Sequence, residues 1–325
     1  MVEINPVLVE VERSGFVESW HRGSVAGLDE GGAMALRLGV PDEPIFPRSA
    51  VKPMQAVAML RCGLDLADQE LALAAGSHSG EDFHVEGAEK ILSGAGLTAD
   101  ALRCPPQWPL DSSAALDAAR DEGGRSRLRM NCSGKHAAML ATCVAAGWTT
   151  EGYTDLDHPL QGAVRTAVED LTGEEPVAAG VDGCGAPLFA VSATGVARAF
   201  RALVLAPPGT PERRVADAMR AHPQWTSGTR REERRLMEAV PGLLVKCGAE
   251  GVDAFALGDG RAGIVKIDDG AMRARTPVTV ALLRALGVDG VPGIDADALE
   301  ELATVPVYGG ERRVGAIRPA PGVFP

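Results

Sequence analysis

Hydrophobic and charged positions alternate near the start of the chain. Leu8-Val9-Glu10-Val11-Glu12-Arg13 has a period of two, breaks at Ser14-Gly15, and resumes through Phe16-Val17-Glu18-Ser19-Trp20-His21. Alternation on both sides of a glycine turn predicts a β-hairpin, and Ala33-Met34-Ala35-Leu36-Arg37-Leu38 predicts a third strand. From Lys52 to about Glu238 the period lengthens. Apolar residues recur at helical spacing over 54–61, 64–75, 85–95, 112–122, 136–146, 159–171 and 211–221, mostly closed by Gly or followed by Pro. Sheet character returns in Gly242-Leu243-Leu244-Val245-Lys246, 252–257 and 262–267, separated by turns at Gly248, Gly258-Asp259-Gly260 and Asp268-Asp269-Gly270. Thr276-Pro277 predicts a helix start running to Leu286 before Gly287, and 307–317 predicts a last edge strand.

Sheet, helices, sheet is the order of an α+β fold, with an antiparallel sheet from the N- and C-terminal segments and a helical middle lobe. The expected organisation is one domain of two lobes, a sheet lobe over 1–48 and 239–325 and a helical lobe over 49–238. No internal repeat or low-complexity tract interrupts it. Arg230-Arg231-Glu232-Glu233-Arg234-Arg235 is mixed in sign and reads as a solvated helix face.

Composition narrows the function classes. The chain has 325 residues, 46% hydrophobic and 23% charged, enough to bury a sizeable core. A formal net charge of −12 argues against nucleic acid or an anionic membrane as partner. Met1-Val2-Glu3-Ile4-Asn5-Pro6 has neither a basic start nor an apolar core of a signal, and no apolar run is long enough to span a bilayer. The expectation is a soluble, cytoplasmic protein. Six cysteines with no Cys-x-x-Cys pair read as buried thiols, not a disulfide framework.

The chemistry-bearing stretch is Pro47-Arg48-Ser49-Ala50-Val51-Lys52-Pro53. Ser49 and Lys52 are three residues apart, so one helical turn sets hydroxyl and amine on one side. Pro53 suits the first turn of a helix, whose unpaired N–H groups favour developing negative charge. A serine nucleophile needs a base, and a lysine serves when burial or a neighbouring cation keeps it neutral. Alone, the same string fits a helix cap beside a solvated lysine.

Other stretches add to it. Gly76-Ser77-His78-Ser79-Gly80-Glu81 gathers small polar groups in a loop; His78 and His84 are metal-type donors, but their spacing matches no helical pair. Cys132 and Lys135 in Asn131-Cys132-Ser133-Gly134-Lys135-His136 repeat the three-residue spacing, while Arg129 stands where a phosphate loop needs glycine. Val181-Asp182-Gly183-Cys184-Gly185-Ala186-Pro187 sets a thiol and a carboxylate among glycines, and Lys246 and Lys266 close apolar strands.

Together these motifs resemble the asparaginase II family typified by the rhizobial enzymes, whose fold is similar to serine β-lactamases and glutaminases. The blocks that carry the resemblance are 13–23, Arg48-Ser49-Ala50-Val51-Lys52-Pro53, Ser77-His78-Ser79-Gly80-Glu81, Cys132-Ser133-Gly134-Lys135-His136, Asp182-Gly183-Cys184-Gly185, Gly248-Ala249-Glu250-Gly251 and Lys266-Ile267-Asp268-Asp269-Gly270. The resemblance implies two Ser/Lys tandems, Ser49 with Lys52 and Ser79 with Lys266. It implies a substrate-orienting Zn²⁺ on Cys132, Lys135 and Cys184, with Lys135 neutral when bound, and Arg48, Asp182 and His136 on the substrate side. It also implies a homodimer. The implied reaction is hydrolysis of L-asparagine to aspartate and ammonia through a Ser49 acyl-enzyme, with Lys52 as base and Ser79 and Lys266 relaying a proton. Glutaminase or another serine amide hydrolase is the alternative on the same scaffold, and a non-catalytic amino-acid-binding protein is a third; ammonia release separates them. The chain departs from β-lactamases at Lys246-Cys247-Gly248, where those enzymes carry Lys-Ser/Thr-Gly.

Overall fold

In the computed structural model, which describes residues 4–120 and 124–325, the alternating N-terminal segment is a hairpin. Ser14 and Gly15 both have positive φ, the conformation a tight two-residue hairpin turn demands. The chain opens with β1 (Val7–Arg13), β2 (Phe16–Leu28), β3 (Met34–Leu38) and the two-residue β4 (Pro44–Ile45). Helices α1 (Lys52–Arg61), α2 (Asp68–Ala74), α3 (Asp82–Gly94), α4 (Ser112–Arg120), α5 (Ser133–Ala145) and α6 (Pro159–Thr172) follow. Then come β5 (Ala178–Val181), β6 (Pro187–Ser192), α7 (Ala193–Leu205), α8 (Pro211–Ala221), α9 (Pro223–Thr226) and α10 (Glu232–Ala239). The chain closes with β7 (Leu244–Gly248), β8 (Val252–Ala256), β9 (Ala262–Ile267), α11 (Met272–Ala285), α12 (Ala296–Ala303), β10 (Val305–Gly309) and β11 (Arg312–Pro319). The expected helix end at Glu122 and the opening Met1-Val2-Glu3 lie outside the described residues.

Two compact units result. The first takes Met1–Ala50, Val191–Leu205 and Arg235–Pro325. Its sheet runs β10-β11-β1-β2-β9-β8-β7, with β3 on β2, and every recorded strand pair is antiparallel. The α+β class and its terminal-segment sheet are therefore as the pattern predicts. Val25, Val265, Phe255 and Ile267 on one face join a core with Val278, Leu282 and Leu283 of α11. Residues of the opposite parity, Ala26, Ala254 and Ile264, are buried too, and α7 packs against β2, β8 and β9, so both faces are covered.

The second unit takes Val51–Ala190 and Ala206–Arg234. In α1 every residue from Lys52 to Leu60 is buried, and in α5 so is every residue from Ser133 to Leu140. A helix apolar on all sides belongs in a core. These two carry Lys52, Lys135 and His136 into it. Residues 187–190 of β6 pair antiparallel with β5, bringing Asp182 and Cys184 onto a hairpin loop where Gly185 takes φ +88°.

Several expectations change. α11 starts at Met272, not Thr276, and Pro277 sits inside it. Asp269 Oδ1 accepts the Ala271 N–H at the true start, and the buried helix tolerates the one N–H that proline lacks. The expected edge strand is a hairpin whose second arm, β11, is interior and whose first arm, β10, is the edge. Residues 64–67 have no regular structure and the helix begins at Asp68, and α7, β5 and β6 carry no periodicity distinctive enough to predict. Glu233 is buried, so the mixed-sign run is not wholly a solvated face. Among the described residues no helix is long and apolar enough to cross a membrane.

Candidate active site

In the sheet unit, Arg48 and Ser49 begin the tight turn Arg48–Val51 that runs into α1, with Ala50 N–H bonded to the Pro47 carbonyl at 3.1 Å. Ser49 is half-buried. The turn is pressed against the end of β7: a Cβ on Gly248 would lie 2.3 Å from the Pro47 oxygen. Lys246-Cys247-Gly248 is thus the strand beside the serine turn, although Lys246 Nζ bonds its own strand at the Cys247 carbonyl, 2.8 Å away, and is buried.

The β7–β8 connection carries Glu250 at φ +60°, and Arg48 has φ +53°. Each left-handed non-glycine residue costs about 1–2 kcal/mol. Their side chains meet at 3.7 Å with Glu250 63% exposed, a pair worth about 0–1 kcal/mol, which does not offset that strain. Lys266 Nζ donates to the Glu250 carbonyl at 2.8 Å and to the Ile267 carbonyl. Burial pulls the Lys266 ammonium below the ordinary lysine value, against the opposing pull of Asp268, Glu250 and Asp269. Lys266 belongs to an interior strand, not a solvated sheet edge.

In the helical unit, Lys52 is buried on the first turn of α1 and donates to the Gly76 carbonyl at 2.6 Å and to Ser77 Oγ at 2.9 Å. Ser79, two residues on, points its hydroxyl to the Ser227 carbonyl at 3.0 Å. The serine held by Lys52 is therefore Ser77, which sequence reasoning passed over. Ser77 and Ser79 are two residues apart, so a regular extended reading puts both on one face and cannot say which of them Lys52 meets. Ser79 and Lys266 fall in different units. His78 between the serines is fully used: Nδ1 accepts the Gly80 N–H at 3.1 Å and Nε2 lies 2.8 Å from Ser133 Oγ. Ser133 donates its own proton to the Leu128 carbonyl, so the His78 proton sits on Nε2. Burial holds His78 well below the ordinary imidazole value, so it is neutral. It stacks on His84 at 4.9 Å.

The second polar cluster forms at the start of α5 and in the β5–β6 loop. Lys135 Nζ lies 3.1 Å from Cys184 Sγ, and Cys184 Sγ lies 3.6 Å from Asp182 Oδ2. A hydrogen bond from the Cys184 thiol draws Cys132 down to about 5 against burial, and the same bond raises Cys184. Burial works against the Lys135 ammonium, but the Cys184 and Cys132 sulfurs outweigh it and keep the amine protonated. His136 Nδ1 lies 2.7 Å from the Tyr153 hydroxyl, whose oxygen accepts the Arg103 N–H, and His136 Nε2 is buried without a hydrogen-bond partner. Burial lowers His136 to about 4. The Cys132 and Cys184 thiols, with the Asp182 carboxylate beside Cys184, are donor types that zinc takes. Among the described residues no three His, Cys, Asp or Glu side chains gather as a metal cage. A cavity of about 570 Å³ lined by Leu64, Ile91, Ala141 and Val144 contains none of these residues.

Comparison with solved structures finds partial overlaps. Mglu in its native form in 4.3 M NaCl shares 14% identity over 90% of this chain and 66% of its own, with a TM-score of 0.46. A putative beta-lactamase from Bacteroides dorei DSM 17855 shares 14% identity over 86% of this chain and 91% of its own, with a TM-score of 0.42. Mglu in its tris and glutamate form shares 16% identity over 92% and 62%, with a TM-score of 0.34. This chain spans just under two thirds of Mglu, and the family assignment takes nothing from these overlaps. Comparison with curated proteins gives no match. The model of the family described as L-asparaginase II matches residues 9–319, which takes in the serine turn, the Ser77–Glu81 loop, the thiol–amine cluster and Lys266. The chain belongs to the L-asparaginase II family, a family of amidohydrolases.

Proposed function

We propose that the chain hydrolyses the side-chain amide of L-asparagine to L-aspartate and ammonia through an acyl-enzyme on Ser49. The observation that carries the reading is the buried Lys52, three residues from Ser49 and hydrogen-bonded to a second serine, Ser77. In the proposed cycle a neutral Lys52 amine accepts the Ser49 proton, with the Gly76 carbonyl and the Ser77 hydroxyl orienting Nζ. Ser49 Oγ bonds to the amide carbon, and the C–N bond breaks as the proton from Lys52 reaches the leaving nitrogen. Water then adds to the ester and releases aspartate. The proton relay falls to Ser77, because Ser79 already gives its hydroxyl proton to the Ser227 carbonyl. Lys266, its proton loosened by burial, assists at the oxyanion or the leaving group.

Arg48 takes the substrate α-carboxylate, as a guanidinium suits a carboxylate. Asp182 and His136 complete the substrate side, His136 Nε2 being a buried polar atom that a bound ligand would satisfy. A Zn²⁺ on Cys132, Lys135 and Cys184 supplies orientation and polarisation of the substrate when bound.

The test is ammonia release from asparagine and glutamine side by side, with and without chelator. Asparagine turnover exceeding glutamine turnover and weakened by the chelator is expected. Glutamine turnover equal or greater would make the protein a glutaminase, and saturable binding without ammonia would remove the enzymatic reading.

A further inference from the structure

Glu250 occupies a turn position that backbone sterics would give to glycine or asparagine. It sits at φ +60° in the Gly248-Ala249-Glu250-Gly251 connection, which the proposed chemistry leaves without a role. A Cβ on Gly270 would lie 2.4 Å from Glu250 Oε2 and 3.2 Å from Glu250 Cα, so the Asp268-Asp269-Gly270 turn passes close beside Glu250. The Gly251 carbonyl receives the Ile267 N–H at 2.9 Å and anchors this turn to the end of β9. Two cations converge on the residue. Lys266 Nζ donates to its main-chain carbonyl at 2.8 Å, and the Arg48 guanidinium faces its carboxylate at 3.7 Å. Arg48 is itself in the left-handed region, immediately before Ser49.

We propose that Glu250 is a positioning residue for substrate binding: its side chain holds the Arg48 guanidinium in the orientation that receives the substrate α-carboxylate, while its main chain holds Lys266. This rests on the asparaginase reading, with Arg48 as the carboxylate contact. A pair this exposed adds little to stability, and it joins two residues that both sit in the left-handed region. Loss of the side chain therefore acts on substrate affinity more than on folding or on the chemical step.

Glu250→Gly isolates the side chain, because glycine accepts φ +60° without strain and the carbonyl that holds Lys266 remains. The experiment measures steady-state ammonia release from asparagine together with the melting temperature, for wild type, Glu250→Gly, Arg48→Ala and the double variant. The expected result is a KM raised roughly five-fold in Glu250→Gly, a kcat within about two-fold and a melting temperature equal or higher. In the Arg48→Ala background the same change adds nothing further to KM. An unchanged KM, a full effect in the Arg48→Ala background, or a lowered melting temperature with kcat falling alongside would each overturn the proposal. If wild type releases no ammonia from asparagine, the asparaginase reading fails and the inference goes with it; if wild type turns over and Glu250→Gly matches it, only the inference fails.

Discussion

Lys52 is a long cationic side chain on a helix buried from Lys52 to Leu60, and its Nζ donates to partners inside the chain. Lysine is almost never buried this way without a purpose. Ser77→Ala removes one of its partners and, on the proposed relay, lowers kcat by roughly 10²-fold at unchanged protein stability, whereas Ser79→Ala has the smaller effect. Parallel kinetics on the two variants check this, and equal losses or a larger loss at Ser79 would reverse the assignment. At the thiol–amine cluster, Lys135 holds a proton that a metal must displace. Zinc added to metal-free protein is therefore expected to release protons into weakly buffered solution and to bind stoichiometrically, and Cys132→Ala or Cys184→Ala to abolish both. The Cys184 thiol gives up its proton on binding as well, so release of about one proton per zinc instead of about two would mean that Lys135 is not a ligand. The Ser-x-x-Lys spacing and the paired Cys/Lys spacing were legible as residue types. Which serine faces Lys52, and that Glu250 lies against Arg48, depend on loop conformations that no periodicity encodes.

Strands and helices that set the site do so through close backbone approach. The end of β7 lies against the Arg48–Ser49 turn only because residue 248 lacks a side chain, and a Cβ there meets backbone atoms, which cannot swing aside as a side chain can. Gly248→Ala is expected to destabilise the protein by about 1–3 kcal/mol and to lower activity by moving the serine turn. Urea unfolding and ammonia release measure both, and a variant with wild-type values would show that the contact is loose. The same scale shows where pattern reading succeeds. The β1–β2 hairpin has alternation and a two-residue turn in one local stretch, and α8 carries Thr210 as cap with Pro211 behind it, so both are readable. Thr210 Oγ1 accepts the Arg213 N–H at 3.4 Å. Thr276-Pro277 shows the same two residue types, yet there the buried contacts of α11 with the sheet extend the helix upstream. Tertiary burial overrides the local signal.

For the molecule as a whole, the order of sheet, helices and sheet made the fold class legible, because the alternating strands at the two ends pair into one sheet, although the short β4 pairs with β6 of the middle instead. The return of Val191–Leu205 to the sheet unit was not legible, since a buried apolar helix looks the same in either unit. Stability should carry the imprint of the buried histidines. His84 is lowered to about 4 and His78 well below its ordinary value, both chiefly by burial, so the unfolded chain takes up protons first as pH falls below about 6.5. Their contribution is complete at neutral pH and is lost on acidification, at about 1.4 kcal/mol per pH unit for each such histidine. Urea midpoints at pH 7 and pH 5 should differ more in wild type than in His84→Gln; equal differences would place the acid sensitivity elsewhere. The acyl-enzyme chemistry rests on one hydroxyl at the mouth of α1, and ammonia release from asparagine by wild type and Ser49→Ala tests it most directly. A loss of roughly 10³-fold or more, with an unchanged melting temperature, is the expected outcome. Full activity in Ser49→Ala would contradict the nucleophile and with it the mechanism.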